Sequence, residues 1–162
     1  MARTLGTMLT WTTYGTWLRG DVRGWIEKGQ TLPPEPAQEA WDRARLRYPP
    51  FLLPRETRRT AGDLVRQVVA DLDAKVHALT VGSWHVHVVI SHVRTPIWEV
   101  VKLLKEGVRT GLAYRRAIWG AGYDKRFCFD RDSLQARIEY VRKHNVEDAL
   151  PPDPWDFIVP PR

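Results

Sequence analysis

The order of apolar and polar positions along this chain switches repeatedly between a two-residue and a near-four-residue period. Residues 5–18, LGTMLTWTTYGTWL, are rich in threonine and aromatic side chains and predict a first strand running into a glycine-containing turn. Six prolines between Leu32 and Pro54 predict an irregular excursion there, with room for a short helix in AQEAWDRARLRY. Thr60 then reads as an N-cap with Asp63 three residues on, and Leu64, Val68, Leu72 and Val76 recur at every fourth position, predicting a helix. In VHALTVGSWHVHVVISH, β-branched residues flank Gly82-Ser83, which predicts a hairpin with that pair as its two-residue turn. Pro96 opens a second helix, whose apolar face is Ile97, Val100, Val101, Leu104, Val108 and Leu112. A strand is expected around Lys125–Phe129. A third helix is expected from Asp132 or Ser133 to about Asn145, ahead of the tail PPDPWDFIVPPR. The succession strand, helix, hairpin, helix, strand, helix predicts an α+β fold, a ferredoxin-like antiparallel sheet flanked by helices. One domain over 1–162 is expected, with the Pro-rich insertion at about 32–54.

Composition narrows the partner more than the fold. The chain has 162 residues, long enough for a sizeable core, and 43% of them are hydrophobic, as in a globular protein. Cys128 stands alone, so no disulfide can form within the chain, which fits a reducing cytoplasm. No apolar run is long enough to span a membrane, and MARTLGTMLTW lacks the layout of a secretory signal. These features predict a cytoplasmic protein without a membrane partner. The net charge is +6 and the pI about 9.8, which points to an anionic partner such as nucleic acid. The excess is concentrated: Arg94 to Arg126 carries eight basic residues against three acidic ones. On a helical wheel Lys102, Lys105, Arg109 and Arg116 fall on one flank of the second helix's apolar face, where they would grip phosphates.

Candidate chemistry sits in two places. In Trp84-His85-Val86-His87-Val88, strand alternation turns His85 and His87 to one face, where two imidazoles can share a divalent metal. With Gly82-Ser83 as the turn, Thr80 pairs opposite His85 and Ala78 opposite His87, small neighbours that leave space. His77 and His92 fall on the other face and read as structural. In DSLQARIEYVRKHNV, Leu134, Ile138 and Val141 form the buried stripe, while Tyr140 and His144 share a neighbouring face. Either signal alone is also what an ordinary strand face or core-skirting tyrosine would give.

Together the two signals resemble the single-tyrosine HUH transposases, and most closely the REP-associated tyrosine transposases. The matching stretches are HALTVGSWHVHVVIS, IWGAGYDKRFCFDRDSLQARIEYVRKHNV and, at the N-terminus, TWTTYGTWLRGDVRGW. The resemblance covers nearly the whole chain except the excursion at 32–54. It implies a metal-dependent endonuclease and strand transferase acting on single-stranded or hairpin DNA, with Tyr140 as the nucleophile. A nucleoid-associated location, and either a homodimer or a monomer, would go with that activity. The resemblance implies His85 and His87 as ligands to Mg2+ or Mn2+, together with a polar residue one turn beyond the tyrosine. Relatives commonly carry Asn or Gln there, whereas this chain has His144 followed by Asn145. Position 144 lies about 40° round the helix from 140 and position 145 about 140°, so His144 is the expected third ligand. An all-histidine site leans toward Mn2+, Co2+ or Zn2+. A tyrosine hydroxyl is a weak nucleophile at neutral pH, so such a reaction depends on positioning and charge neutralisation.

Other histidine enzymes fit less well. A histidine-triad nucleotide hydrolase needs a third histidine where Val89 stands, and an HxHxDH zinc hydrolase needs Asp and His in place of Val89 and Ile90. Two-histidine phosphodiesterases need paired His-x-Ser/Thr motifs, which are absent. A non-catalytic nucleic-acid-binding protein of the same fold and a rolling-circle nickase are the remaining alternatives. Trp11, Trp17, Trp84 and Trp119 are candidates for stacking on unpaired bases.

Overall fold

A computed structural model of the protein describes residues 3–162. Four strands form the main sheet: β1 (Gly6–Thr12), β4 (Val76–Val81), β5 (His85–Ser91) and β6 (Asp124–Cys128). Two short strands, β2 (Trp25–Glu27) and β3 (Gln30–Leu32), make a separate hairpin in the connection that leaves β1. The helices are α1 (Pro36–Ala44), α2 (Arg55–Asp71), α3 (Ile97–Gly111) and α4 (Arg131–Glu147). The sheet order is β4-β5-β1-β6 with every neighbour antiparallel. That order, with α2 and α3 between the strand pairs, is the ferredoxin-like arrangement, here extended by α4.

Strand alternation divides the core between the two faces of the sheet. Leu9, Trp11, Leu79, Val81, Val86, Val88 and Ile90 face α2 and α3, which contribute Ala61, Val65, Val69, Val100, Val101, Leu104 and Val108. Met8, Ala78, Val89 and Cys128 point the other way and are covered by Leu134, Ile138 and Val141 of α4. Both faces of β4 and β5 are therefore largely buried, which explains their near-continuous apolar runs. The C-terminal tail straps the β4 edge: the Val159 amide donates to the Val76 carbonyl, and the His77 Nδ1–H donates to the Val159 carbonyl at 2.8 Å. His77 occupies a bulge in β4, a structural position, and the strap covers an edge that would otherwise be free.

Several expected boundaries move. Helix α2 begins at Arg55 after Pro54, so Thr60 lies inside it and does not cap it. Its buried residues are Ala61, Gly62, Val65 and Val69, displaced from the expected stripe, and Val76 belongs to β4. Pro54 pre-sets the first turn, a stronger start than an internal threonine. The hairpin turn is Ser83-Trp84, closed by the Gly82 amide donating to the His85 carbonyl at 2.9 Å. Thr80 accordingly pairs with His87, and Ala78 with Val89. The excursion starts earlier than the prolines suggest and contains the β2–β3 hairpin, turned by Lys28 (φ 48°) and Gly29 (φ 78°). Among the described residues no helix is long and apolar enough to cross a membrane.

Candidate active site

The α4-facing side of β5 carries His85 and His87, one at the strand's start and one two residues on. Their neighbours on β1 are Thr12 and Thr10, and Thr80 of β4 lies opposite His87. Small polar side chains on both sides leave the imidazoles room that a leucine or phenylalanine would fill. Thr10 Oγ1 lies 2.6 Å from His87 Nδ1, which engages that nitrogen and leaves Nε2 for another partner. His85 lies against Gly82, where even a β-carbon would come within 3.2 Å of its Cε1. Its Nδ1 is buried without a hydrogen-bond partner.

Helix α4 brings the second half of the site. The Asp130 carboxylate caps it by accepting the Ser133 amide at 2.7 Å, and Leu134, Ile138, Val141 and Asn145 are its buried residues. With that stripe facing the sheet, Tyr140 and His144 sit at its margin beside the histidines. Ring centroids are 5.4 Å apart for His87 and Tyr140, and 4.7 Å for His87 and His144. Tyr140 and His144 are 4.7 Å apart, His85 and His87 likewise 4.7 Å. His144 Nδ1 is 2.9 Å from the Tyr140 carbonyl. A carbonyl can only accept, so Nδ1 carries a proton here, which leaves Nε2 as the nitrogen that could coordinate.

This donor set fits a metal. One nitrogen from each of His85, His87 and His144 lies within 4.8 Å of the others. Three imidazoles converging in this way would each offer one nitrogen to a single divalent ion. Burial holds the His85 and His87 imidazoles neutral and able to coordinate. It pushes His85 down to about 4, with help from His144, Arg23 and Arg58 nearby, and pushes His87 down to about 3, with help from His85 and His144. Asn145 is directed elsewhere: it is fully buried and donates to the Leu79 and Pro152 carbonyls. Tyr140 is 44% exposed, so its ring is open to solvent at the rim of the histidine cluster.

The basic residues meet in a cleft of about 660 Å3 that runs along α3 and whose Trp119–Gly120 wall is bonded to Thr12 and Thr13 of the β1 end. Lys102, Lys105, Arg109 and Arg116 all line it, but they are not equivalent. Lys105 donates to the Gly120 and Gly122 carbonyls, and burial lowers its affinity for a proton. Arg109 is paired with Glu106 and donates to the Tyr114 carbonyl. Arg116 is not on the helix, which ends at Gly111; it lies in the loop beyond, donates to the Pro49 carbonyl and stacks on Tyr48. The helical-wheel placement of Arg116 is corrected accordingly: Ala113 takes a positive φ of 62° and turns the chain away. Among the described residues, the exposed side chains of Lys102 and of Arg115, a cleft residue not singled out in the sequence, form neither an ion pair nor a hydrogen bond.

Of the four tryptophans considered for stacking, Trp11 and Trp119 are core residues packed edge to face. Trp17 and Trp84 instead stand together beside His85, held by Arg23. Nothing in local spacing signals Thr10, Arg23 or this pairing, because each comes from a different part of the chain.

No protein-family model matches the sequence, and no curated protein matches it either. Solved structures match by shape. The structure of a REP-associated tyrosine transposase bound to a REP hairpin is similar with a TM-score of 0.58 and 10% identity, covering 97% of this chain and 78% of that one. A candidate transposase from Deinococcus radiodurans R1 gives a TM-score of 0.47 and 15% identity, over 93% of this chain and 95% of that one. The first likeness shows a shared fold.

Proposed function

We propose that this protein is a single-tyrosine DNA-nicking and -joining enzyme of the HUH transposase type, acting on single-stranded or hairpin DNA. The observation that carries the reading is the meeting of Tyr140 and His144 with His85 and His87 on one sheet face, within ring distances of 4.7–5.6 Å. The shared fold with a transposase solved on a DNA hairpin supports the same substrate class here.

Tyr140 is the nucleophile. Its hydroxyl oxygen forms a bond to the scissile phosphorus while the bond from phosphorus to the 3′ oxygen breaks. The phenol loses its proton and the departing oxygen gains one, giving a 5′-phosphotyrosine and a free 3′-OH. The phosphodiester energy is kept in that link, so rejoining needs no nucleotide triphosphate. A divalent ion on His85, His87 and His144 would polarise the phosphate and offset its charge. Thr10 fixes the His87 ring, and the Tyr140 carbonyl fixes the His144 tautomer, so the nucleophile's own backbone orients a ligand. All four side chains belong to one chain, which favours a site complete in a monomer. Lys102 and Arg115 are the residues best placed to hold DNA phosphates.

The test is incubation with hairpin-bearing single-stranded DNA and Mn2+, then a denaturing gel. Wild type is expected to give a covalent protein–DNA adduct. Tyr140→Phe keeps the ring but loses the hydroxyl, so it should form no adduct and bind DNA within about twofold of wild type. Adduct at wild-type levels in that variant would overturn the assignment.

A further inference from the structure

The aromatic wall beside His85 has no part in the chemistry just described, yet several groups are committed to building it. The Trp17 and Trp84 ring centroids are 5.7 Å apart, and Trp84 lies 4.1 Å from the His85 ring. Trp17 stays 38% exposed even though its indole N–H is satisfied by the Gly24 carbonyl. The Arg23 guanidinium lies 4.0 Å over Trp17 and 5.0 Å from Trp84. It is held there by both carboxylate oxygens of Asp21, each at 2.7 Å, and by the Thr16 carbonyl. Asp21 itself is only 6% exposed. A nearly buried acid and an arginine thus fix a large ring that remains in water. The Thr13 amide donates to the Trp84 carbonyl at 2.7 Å, which locks the turn bearing Trp17 to the hairpin bearing Trp84.

We propose that Trp17 and Trp84 form a stacking shelf for an unpaired base of the DNA strand, next to the phosphate that Tyr140 attacks. Arg23 is the positioning residue that sets the angle of the shelf. The proposal rests on the DNA-joining function above and adds a subsite to it. Aromatic rings accept any base, because every base presents a π face, so the shelf holds the strand without reading its sequence. Its place, one residue before the first metal-site histidine, is where a held base would fix the adjoining phosphate. In-line attack by a weak nucleophile needs that phosphate immobile. Rings pinned by hydrogen bonds before DNA arrives lose little freedom on stacking.

If the cluster only pins the turn to the hairpin, removing bases from the DNA will not distinguish wild type from a Trp17 variant. The experiment therefore measures binding of an oligothymidylate and of an abasic strand of equal length and charge, in chelator to prevent cleavage. The affinity ratio of the two strands isolates the contribution of the bases. That ratio should fall about tenfold in Trp17→Ala. Trp17→Phe should keep most of it and Trp17→Leu should not, and both retain apolar bulk at the turn should the alanine variant fail to fold. An unchanged ratio in Trp17→Ala or Trp17→Leu overturns the shelf. Adduct formation with hairpin DNA and Mn2+ is scored on the same preparations. Adduct from wild type together with an unchanged ratio overturns the shelf alone. A ratio that falls in the variants without any wild-type adduct overturns the joining function and leaves a base-stacking DNA contact. Binding to neither strand overturns both.

Discussion

Asn145 and His144 are adjacent in sequence but do different work, and the helix explains why. A residue one position on is rotated about 100° round the axis, which carries Asn145 into the buried stripe and leaves His144 at the histidine cluster. His144→Ala should therefore weaken Mn2+ or Zn2+ binding by at least about tenfold in titration calorimetry. Asn145→Ala should leave affinity nearly unchanged and instead lower stability by about 1–3 kcal/mol, because the Leu79 and Pro152 carbonyls lose their donor. The opposite pattern would assign the third ligand to Asn145. The paired histidines also set a pH dependence. In the unfolded chain an imidazole takes up its proton near 6.5, whereas burial holds His85 off until about 4 and His87 until about 3. Over that interval the unfolded state binds more protons, so acidification favours unfolding, while above 6.5 the contribution to stability is whole. The metal-free protein should lose thermal stability from pH 6.5 down to about 4, with a shallower loss in His87→Asn. Identical slopes in the two proteins would mean that these imidazoles are not held neutral by the fold.

At the scale of elements, helix α2 shows packing overruling local preference. Gly62 lies in its interior, where alanine would normally be worth up to about 1 kcal/mol of helix stability. Here a β-carbon would overlap the Trp155 ring, which the tail lays across the helix with its indole N–H on the Arg59 carbonyl. Gly62→Ala should accordingly destabilise the protein by about 1–3 kcal/mol in chemical denaturation, since the displaced ring belongs to a filled core. A stabilised variant would mean that the tail does not dock there. The same competition separates the buried stripe of α2 from the expected one. The fourfold spacing of Leu64, Val68 and Leu72 is real, but these residues are partly buried at the margin of the core, and the tight face is Ala61, Val65 and Val69. Small residues mark the closest approach, and hydrophobicity alone undervalues them.

Across the whole molecule, charge is legible as a total and not as a set of contacts. The concentration of basic residues after Arg94 points to one region, yet three of the four expected phosphate contacts, Lys105, Arg109 and Arg116, spend donors on backbone carbonyls. Lys102→Ala and Arg115→Ala should each reduce the slope of log K against log salt for single-stranded DNA by about one. Lys105→Ala should leave that slope unchanged and loosen the segment around Gly120 and Gly122. A slope that falls only in the Lys105 variant would reverse these roles.

By itself the sequence determined the geometry inside single elements. His85 and His87 share a face because a strand alternates, and Tyr140 and His144 stack because a helix repeats at nearly four. Even the difference in the hairpin turn leaves these faces intact, since the pairing shifts by two residues and a slip of two returns every side chain to its side. The tertiary structure decided which surfaces meet. Helix α4 docks on the histidine face because Met8, Ala78, Val89 and Cys128 there need covering by Leu134, Ile138 and Val141. That burial brings Tyr140 to the histidine cluster. Thr10 reaches His87 only through the β1–β5 register, and Trp17 reaches Trp84 only through the turn after β1. Contacts of this kind depend on where the chain returns in space, and no period along a single strand or helix encodes that.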